Sequence, residues 1–385
     1  MLLMSMPPQP SAESNPALVA ILRDRIPREG PLTFAQFMET VLYHPEHGYY
    51  MAEQPRPGRA GDFLTAPEAH PIFGWTLARQ IVELWHLLGA PRPFTLREYG
   101  AGSGALGLAV LDELAEIAPD LFAAIRYAPI EANPYRLAEA RRRLAEAGLA
   151  DHIEDASNTT ITGCVIANEF LDALPVHRIE QRDGSLQEVY VTWRDGWFAD
   201  ELGPLSTEAI AERLRREHVR LTEGQRAEVC LAIDPWMQEV AAALDRGYVL
   251  VLDYGYPAAD LYGPERRQGT LKAYYRHGVH EDPYLAIGEQ DLTAHVDFTA
   301  VTETAEAAGL RAPGLTTQAN FLAGAGIREL LVALQQAPGM TAEEYLGARA
   351  AVMRMIDPGA MGRFRVLVLG KDVPDASPAG LRFTL

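Results

Sequence analysis

The segment Phe94–Gly107, with the sequence FTLREYGAGSGALG, contains the pattern that decides the fold. A short strand-like run ends in the acidic residue Glu98, glycines follow at Gly100, Gly102 and Gly104, and an apolar helix-like segment comes next. A strand, a glycine turn and a helix form the first unit of a doubly wound nucleotide-binding sheet, because glycine permits positive φ and close approach of a ligand. The segment therefore predicts an α/β protein with a Rossmann-like sheet.

Two classes of ligand are compatible with this turn. In a methyltransferase the turn, here with Ala101 between its first two glycines, meets the amino-acid end of S-adenosylmethionine, whose ammonium and sulfonium groups favour a carboxylate such as Glu98. Residues 102–107 also satisfy the dinucleotide pattern G-x-G-x-x-G, which by itself is a weak signal. A pyrophosphate would lie at the helix N-terminus, and Glu98 would repel it there. The pattern favours the methyl donor and leaves a nicotinamide-dependent oxidoreductase as the alternative.

The next unit of the chain supports a nucleotide site. Ile125–Ile130 reads as a second strand and ends at Glu131, where both cofactor classes place an acid that accepts hydrogen bonds from ribose hydroxyls. Asn133 and Pro134 predict a helix start, with Asn as the N-cap and Pro in the first turn. Asp155 follows a brief third strand, in the region that usually contacts the adenine.

Composition and charge exclude several classes of function. The 385 residues are 48% hydrophobic and 22% charged, which is ordinary for a globular enzyme. The formal net charge of −18 disfavours non-specific nucleic-acid binding, which needs Lys and Arg to neutralise phosphates. No apolar run approaches the length of a membrane span. No Cys/His cluster has the spacing of a metal site, so we expect no metal.

The chain divides into three expected regions. Residues 1–14 predict a disordered tail with no targeting signal, which predicts a cytoplasmic protein. Residues 15–90 contain helical patterns and a Gly- and Pro-rich loop, and we expect them to form a helical cap that carries an active-site loop. Residues 91–385 are expected to form the catalytic domain, with an inserted hairpin and helical region at about 176–228.

Further segments make the pattern specific to one family. They are GDFLTAPE at 61–68, ANEFLDALP at 167–175, LDYGY at 252–256 and TAHVDF at 293–298. Together with REYGAGSG at 97–104, this set resembles the MidA-like methyltransferases, which include a mitochondrial arginine methyltransferase that acts as a respiratory complex I assembly factor. The resemblance covers about residues 30–371.

The resemblance implies a class I methyltransferase fold with a seven-stranded, mostly parallel sheet and helices on both faces. It also implies S-adenosylmethionine as cofactor and a protein substrate whose arginine is methylated, such as a complex I subunit. A small-molecule or non-arginine acceptor stays open, as does a non-catalytic assembly protein that keeps the cofactor fold. A homodimer is one assembly that the sequence allows.

The chemistry of arginine methylation selects a set of candidate residues. A guanidinium is always protonated in water, so the site must hold its charge and accept a proton, and carboxylates suit both tasks. Acceptors bind at the carboxyl edge of such sheets, where the fourth strand ends at Asn168, Glu169 and Asp172. We expect Glu169 to orient the guanidinium and Asn168 to assist it while also contacting the cofactor. Asp172 either helps or caps a helix, and His295 is a candidate for proton transfer.

The early loop supplies the remaining candidates. Asp62 lies in a segment that we expect to fold over the cofactor. The ring of Phe63 would then face the sulfonium or the adenine, since aromatic faces attract cations.

Overall fold

The structure, a computed structural model, describes residues 13–53, 66–156, 160–276 and 278–383. Most of the expected tail, residues 1–12, lies outside these ranges. So do the candidate ligands Asp62 and Phe63.

The described α-helices are distributed along the chain. In chain order they are α1 Pro16–Glu29, α2 Phe34–Tyr43, α3 Ala66–Ala69, α4 Ile72–Leu87, α5 Ala105–Ile117, α6 Pro119–Ala124, α7 Pro134–Glu146, α8 Glu208–Arg216, α9 Ile233–Ala243, α10 Ala258–Leu261, α11 Phe298–Ala307, α12 Gln318–Gly324, α13 Ile327–Gln336 and α14 Ala342–Ile356. None of these described helices combines the length and the apolar content needed to cross a membrane.

The described strands alternate with helices in part of the chain and cluster in another part. In chain order they are β1 Leu32–Thr33, β2 Phe94–Tyr99, β3 Ile125–Ile130, β4 Ile161–Asn168, β5 His177–Arg182, β6 Ser185–Arg194, β7 Trp197–Gly203, β8 Arg226–Val229, β9 Leu244–Asp253, β10 Gly255–Tyr256, β11 Lys272–Tyr275, β12 Gly278–His280, β13 Asp291–Thr293, β14 Val296–Asp297, β15 Arg311–Thr317 and β16 Arg365–Lys371.

The chain forms two compact units, each assembled from three segments. The sheet unit comprises Leu64–Leu171, Asp234–Gly255 and Val301–Leu385. The accessory unit comprises Met1–Phe63, Asp172–Ile233 and Tyr256–Ala300.

The sheet unit contains the predicted α/β sheet. Within the described residues six strands pair in the order β15-β16-β9-β4-β2-β3. The strands β9, β4, β2 and β3 are parallel, whereas β16 is antiparallel to β9 and β15 is antiparallel to β16. The carboxyl ends of parallel strands share one edge, so Tyr99, Asn168 and Asp253 end their strands on the same side of the sheet.

The expected third strand is much reduced. Among the described residues it is represented by an isolated parallel bridge between Tyr127 and Ile153, and the amide of Glu154 donates to the carbonyl of Tyr127 over 2.8 Å. The residues that follow are polar and acidic, and they gain little free energy from burial in a strand. Within the described residues the sheet is therefore mixed and has six strands.

Local sequence explains the elements around the glycine turn. All six residues of β2 are buried, as expected for a central strand covered on both faces. Helix α7 begins as predicted, because the Asn133 side chain accepts a hydrogen bond from the Tyr135 amide at 2.9 Å and Pro134 occupies the first turn. On one face of the sheet, Phe94 and Leu96 pack in a core with α4 and α5.

The accessory unit contains the inserted hairpins. Strands β1, β6, β5 and β8 pair in that order, and β7 pairs with β6. The Asp-Gly turns at 183–184 and 195–196 have positive φ at both residues, which is the geometry of a tight hairpin turn. Residues 177–203 of the expected insertion thus form two antiparallel hairpins, β5–β6 and β6–β7.

Candidate functional site

The glycine turn after β2 adopts the conformation that its sequence predicts. Gly100, Gly102 and Gly104 have φ values of 69°, 54° and 74°, in the left-handed region that favours glycine. The amide of Ala101 donates to the carbonyl of Ile130 at 3.1 Å, and the amide of Gly104 donates to the carbonyl of Ala101 at 2.8 Å. These bonds hold the turn against the end of β3.

The three glycines differ in the space beside them. A Cβ atom on Gly100 would lie 3.0 Å from the ring of Phe170, and one on Gly104 would lie 2.9 Å from Ala140. Beside Gly102 the nearest atom is 3.9 Å away, so this position is open to a ligand. The turn therefore fits a cofactor that approaches the backbone at Gly102.

Glu131 lies beside the open position, where the sequence predicts a ribose ligand. One carboxylate oxygen accepts from the amide of Gly102 at 2.8 Å, and the other accepts from the amide of Asn133 at 2.9 Å. The side chain is only half-buried, and each carboxylate oxygen has a further lone pair. Glu131 therefore joins the turn to the start of α7 and keeps acceptor capacity for hydroxyl groups.

The charge state of Glu98 differs from the one expected from the sequence. The side chain is buried, its carboxyl group accepts from the Tyr127 hydroxyl at 2.6 Å, and the Gly107 amide also hydrogen-bonds to it. Burial raises the pKa of Glu98 to about 8, and the neighbouring Glu131 adds to the rise. The group is thus mostly neutral at pH 7, and the negative charge expected at the end of β2 is largely absent.

Asp155 follows the bridge residue Ile153 by two positions. Its side chain is exposed and pairs with Arg141 of α7. Exposed ion pairs contribute little to stability, so this pair gives Asp155 no strong structural role. Its contact with an adenine stays a prediction.

The carboxyl end of β4 places Asn168 and Glu169 at the predicted edge. Glu169 has a φ of 48°, an uncommon value for a residue with a side chain, and its amide donates to the carbonyl of Leu252 at 2.8 Å. Its carboxylate lies 3.4 Å from the side-chain nitrogen of Asn168 and 3.4 Å from the amide of Ala66. The positive φ of Glu169 is a strained backbone conformation. Strain of this kind persists where surrounding contacts enforce it, and it is common at functional sites.

Asp253 supplies those surrounding contacts. Its fully buried carboxylate accepts from the amides of Phe170 at 3.1 Å and Leu171 at 2.9 Å, and from the amide of Tyr254 at 2.9 Å. Asp253 thus fixes the backbone immediately after Glu169. In the sequence Asp253 is the acid that ends an apolar run, in the segment LDYGY, and this pattern does not reveal its role.

Asp172 and His295 belong to the accessory unit. The carbonyl of Asp172 accepts from the amide of Ala294 at 3.0 Å, so the chain segments of the two candidates are neighbours. The amide of His295 donates to the Thr270 hydroxyl at 3.1 Å, and its ring centroid lies 5.6 Å from that of Tyr256. The structure therefore brings these two segments together within one unit.

Ser103 is a contact that the sequence reasoning missed. Its hydroxyl donates to Glu68 at 2.6 Å and accepts from Arg143 at 3.2 Å. Glu68 ends the GDFLTAPE segment, so this segment is joined to the glycine turn at its last residue. A serine between two glycines offers no pattern that would predict such a partner.

Residues 13–53, 66–156, 160–276 and 278–383 contain no group of three His, Cys, Asp or Glu side chains that would hold a metal ion.

Comparisons with known proteins identify similar sequences and structures. Residues 76–316 match a family described as "putative S-adenosyl-L-methionine-dependent methyltransferase". A Drosophila melanogaster protein named "Protein arginine methyltransferase NDUFAF7 homolog, mitochondrial" is 30% identical over 78% of this chain and 74% of its own length. The Mus musculus protein named "Protein arginine methyltransferase NDUFAF7, mitochondrial" is 30% identical over 93% of this chain and 86% of its own length.

Solved structures agree with these sequence matches. A Burkholderia thailandensis protein described as a "likely methyl transferase", crystallised with S-adenosyl-homocysteine, has a TM-score of 0.88 and 32% identity, covering 100% of this chain and 98% of that protein. An uncharacterised protein from the same organism has a TM-score of 0.85 and 34% identity, covering 100% of this chain and 99% of that one.

The relatives overturn one expectation. The fly and mouse proteins are named as mitochondrial, which contradicts the predicted cytoplasmic location. The prediction relied on the absence of a targeting pattern near residue 1, and such an absence is weak evidence because targeting segments vary greatly in sequence.

Proposed function

The chain belongs to the family of S-adenosyl-L-methionine-dependent methyltransferases, and on this premise we propose that it methylates an arginine side chain of a protein substrate. Its cofactor is S-adenosylmethionine, which supplies a methyl group carried on a positively charged sulfur. The proposed acceptor is supported by the fly and mouse relatives, both named as protein arginine methyltransferases. The resemblance to MidA-like proteins extends the proposal to a subunit of respiratory complex I.

The proposed cofactor site is centred on the glycine turn. We assign the amino-acid end of the cofactor to residues 100–104 and the ribose hydroxyls to Glu131, which is supported by the open space beside Gly102 and by the two amides that orient Glu131. Glu98 supports the turn from inside the unit as a mostly neutral hydrogen-bonding group. Asp155 remains the proposed adenine contact.

Three further cofactor contacts complete the proposal. Asn168 ends β4 at the same edge of the sheet as the glycine turn. Asp62 and Phe63 keep their proposed roles because they belong to the GDFLTAPE segment, whose Glu68 contacts Ser103 of that turn.

The observation that carries the acceptor assignment is the strained, braced position of Glu169. A guanidinium nitrogen that acquires a methyl group must release one proton, and a nearby carboxylate is suited to orient the cation and accept that proton. The positive φ of Glu169 is held by the bond to Leu252 and by the amide contacts of Asp253 to the two following residues. These contacts fix a carboxylate at the sheet edge where acceptors bind in such folds.

Asn168, Asp172 and His295 have supporting roles in the proposal. The Asn168 amide lies 3.4 Å from the Glu169 carboxylate and would limit its rotation. Asp172 would contribute a second carboxylate for the cation, and His295 would pass the released proton to solvent. The adjacency of their chain segments supports treating these last two residues together.

The finer architecture is also part of the proposal. We propose that the bridge at Ile153 marks the edge strand of a seven-stranded sheet, and that residues 15–90 cap a methyltransferase domain of residues 91–385 with its insertion at 176–228. Helices α1 and α2 lie in the accessory unit together with the insertion, whereas α4 lies in the sheet unit. A homodimer is proposed as the assembly, and light scattering tests it.

The function is tested with Glu169→Gln, which preserves shape and removes the negative charge. Protein is incubated with tritiated S-adenosylmethionine and an extract from cells that lack it, and methylarginine is measured after acid hydrolysis. We expect the variant to lose at least about a hundredfold in methylation, the scale of a general base, while its Kd for S-adenosyl-homocysteine changes less than about threefold.

The control is Glu146→Gln, an exposed carboxylate on α7, which should preserve both methylation and binding. Label on another residue or on a small molecule would refute the arginine acceptor. Cofactor binding without any labelled product would instead support the non-catalytic alternative.

A further inference from the structure

Three aromatic rings meet at the carboxyl edge of the sheet, beside the glycine turn. Tyr99 is the last residue of β2, Phe170 follows the end of β4 by two residues, and Trp236 comes from the first turn of α9. Each pair of ring centroids is 5.7 Å apart, with the Tyr99 and Trp236 rings nearly perpendicular at 85°. Such spacing is typical of attractive aromatic contacts.

The cluster is fixed in place and adjoins the candidate cofactor site. The Tyr99 hydroxyl donates to Glu239, one turn after Trp236 on α9, at 2.9 Å, which restrains both the ring and the helix. On the other side, the Phe170 ring lies so close to Gly100 that a Cβ atom there would be 3.0 Å away. The Phe170 ring thus contacts both Trp236 and the glycine turn.

The indole N–H of Trp236 has no hydrogen-bond partner among the described residues, although the side chain is only 7% exposed. A buried donor left without an acceptor is unfavourable, and native proteins rarely leave one without a reason. Two other indoles are paired, since Trp85 donates to the carbonyl of Pro91 at 3.0 Å and Trp197 to that of Tyr284 at 3.2 Å.

The chemistry of the surrounding groups indicates which ligand atom would accept this bond. The carboxylates Glu131 and Glu169 are acceptors and suit the hydroxyls and cationic groups of the cofactor. Of the basic side chains beside the turn, Arg143 donates to the Ser103 hydroxyl at 3.2 Å, and a terminal nitrogen of Arg136 lies 4.0 Å from where a Cβ atom on Gly102 would be. The amides of Ala101, Gly102 and Gly104 already donate, to the Ile130 carbonyl, the Glu131 carboxylate and the Ala101 carbonyl. The indole N–H of Trp236 would add a further donor for a ligand carboxylate, and hydrogen bonds to charged acceptors are about twice as strong as neutral ones.

We propose that Trp236 is a cofactor-binding residue whose indole N–H donates a hydrogen bond to the carboxylate at the amino-acid end of S-adenosylmethionine. This proposal rests on the cofactor part of the proposed function and is independent of the acceptor. Ligand binding would supply the acceptor that the indole lacks within the described chain. Tyr99 and Phe170 act as positioning residues, because they set the orientation of the indole.

The test is Trp236→Phe, which keeps an aromatic ring and removes the N–H. Calorimetric titration compares S-adenosyl-homocysteine with 5′-methylthioadenosine, which lacks the amino-acid end. A hydrogen bond to a charged group contributes about 1.5–3 kcal/mol, so we expect S-adenosyl-homocysteine to bind about ten- to a hundredfold more weakly. Affinity for 5′-methylthioadenosine should stay within about twofold, and this result also shows that the variant is folded.

The matched control is Trp85→Phe, which removes a paired indole N–H elsewhere in the same unit and should leave the ratio of the two affinities unchanged. An equal loss for both ligands, or no loss for either, would overturn the proposal. A second measurement uses wild-type protein with 15N-labelled indoles. One indole N–H signal should shift with S-adenosyl-homocysteine and not with 5′-methylthioadenosine, and identical shifts with both ligands would refute the assignment.

A failure of the proposed function and a failure of the Trp236 proposal would give different results. If arginine were not the acceptor, the two affinities would still separate in Trp236→Phe while no methylarginine formed. If the indole bond were absent, methylarginine would form while the ratio of affinities in the variant matched that of wild type.

Discussion

Replacing Glu98 with glutamine should change how the stability of the protein depends on pH. The native carboxyl group has a pKa of about 8, because burial beneath α5 disfavours its charged form, whereas its ordinary value is 4.5. Between these values the unfolded chain releases the proton and the native chain keeps it. The unfolded state is therefore favoured progressively as the pH rises, and the native stability that is present below pH 4.5 is lost as the pH approaches 8.

The size of the effect follows from the two pKa values. Their difference of about 3.5, at 1.36 kcal/mol per pH unit, amounts to about 5 kcal/mol over the whole interval. Glutamine keeps an oxygen that can accept from the Tyr127 hydroxyl and has no proton to release. We therefore expect Glu98→Gln to become more stable relative to wild type by up to about 1.4 kcal/mol for each pH unit between 4.5 and 8.

The assay is urea unfolding, followed by tryptophan fluorescence, at several pH values from 5 to 8.5. The exposed Glu146→Gln serves as the control, and its free energy of unfolding should change with pH in the same way as that of wild type. If the free energy of unfolding of Glu98→Gln also changes with pH as that of wild type does, the raised pKa of Glu98 is refuted. The same variant should keep its affinity for S-adenosyl-homocysteine near pH 7, whereas a role as a cofactor counter-charge would require a large loss.

Two substitutions test the neighbouring groups. Gly102→Val should abolish binding of S-adenosyl-homocysteine in calorimetry, because it forces a branched side chain into positive φ and fills the open space at the turn; circular dichroism checks the fold, and unchanged affinity in folded protein would reject the ligand position. Asp253→Asn should lower the free energy of unfolding by about 1–3 kcal/mol, since both carboxylate oxygens accept from backbone amides and the side-chain nitrogen of Asn would have to face one of them. Its methylation of arginine should fall at a temperature where it is fully folded, and normal turnover there would show that Glu169 does not depend on this brace.

The outline of the fold was readable from local sequence. Glycines at alternate positions after an apolar run, and an Asn-Pro helix start, act through backbone conformations and caps that involve neighbouring residues only. The same locality explains why the turn, α5 and α7 lie where predicted. The reduced third strand was harder to foresee, because strand formation depends on partners that are distant in sequence.

The sequence by itself determined which residue types end the parallel strands, and so which side chains are available at the candidate site. Only the tertiary structure decided what those side chains do. Burial raises the pKa of Glu98 to about 8, Glu169 is braced by Asp253 from a strand more than eighty residues later, and Trp236 is held against Tyr99 by packing. Charge state, strain and an unpaired donor are properties of the surroundings of a residue. They arise from desolvation and from contacts between distant segments, which neither periodicity nor motif spacing records.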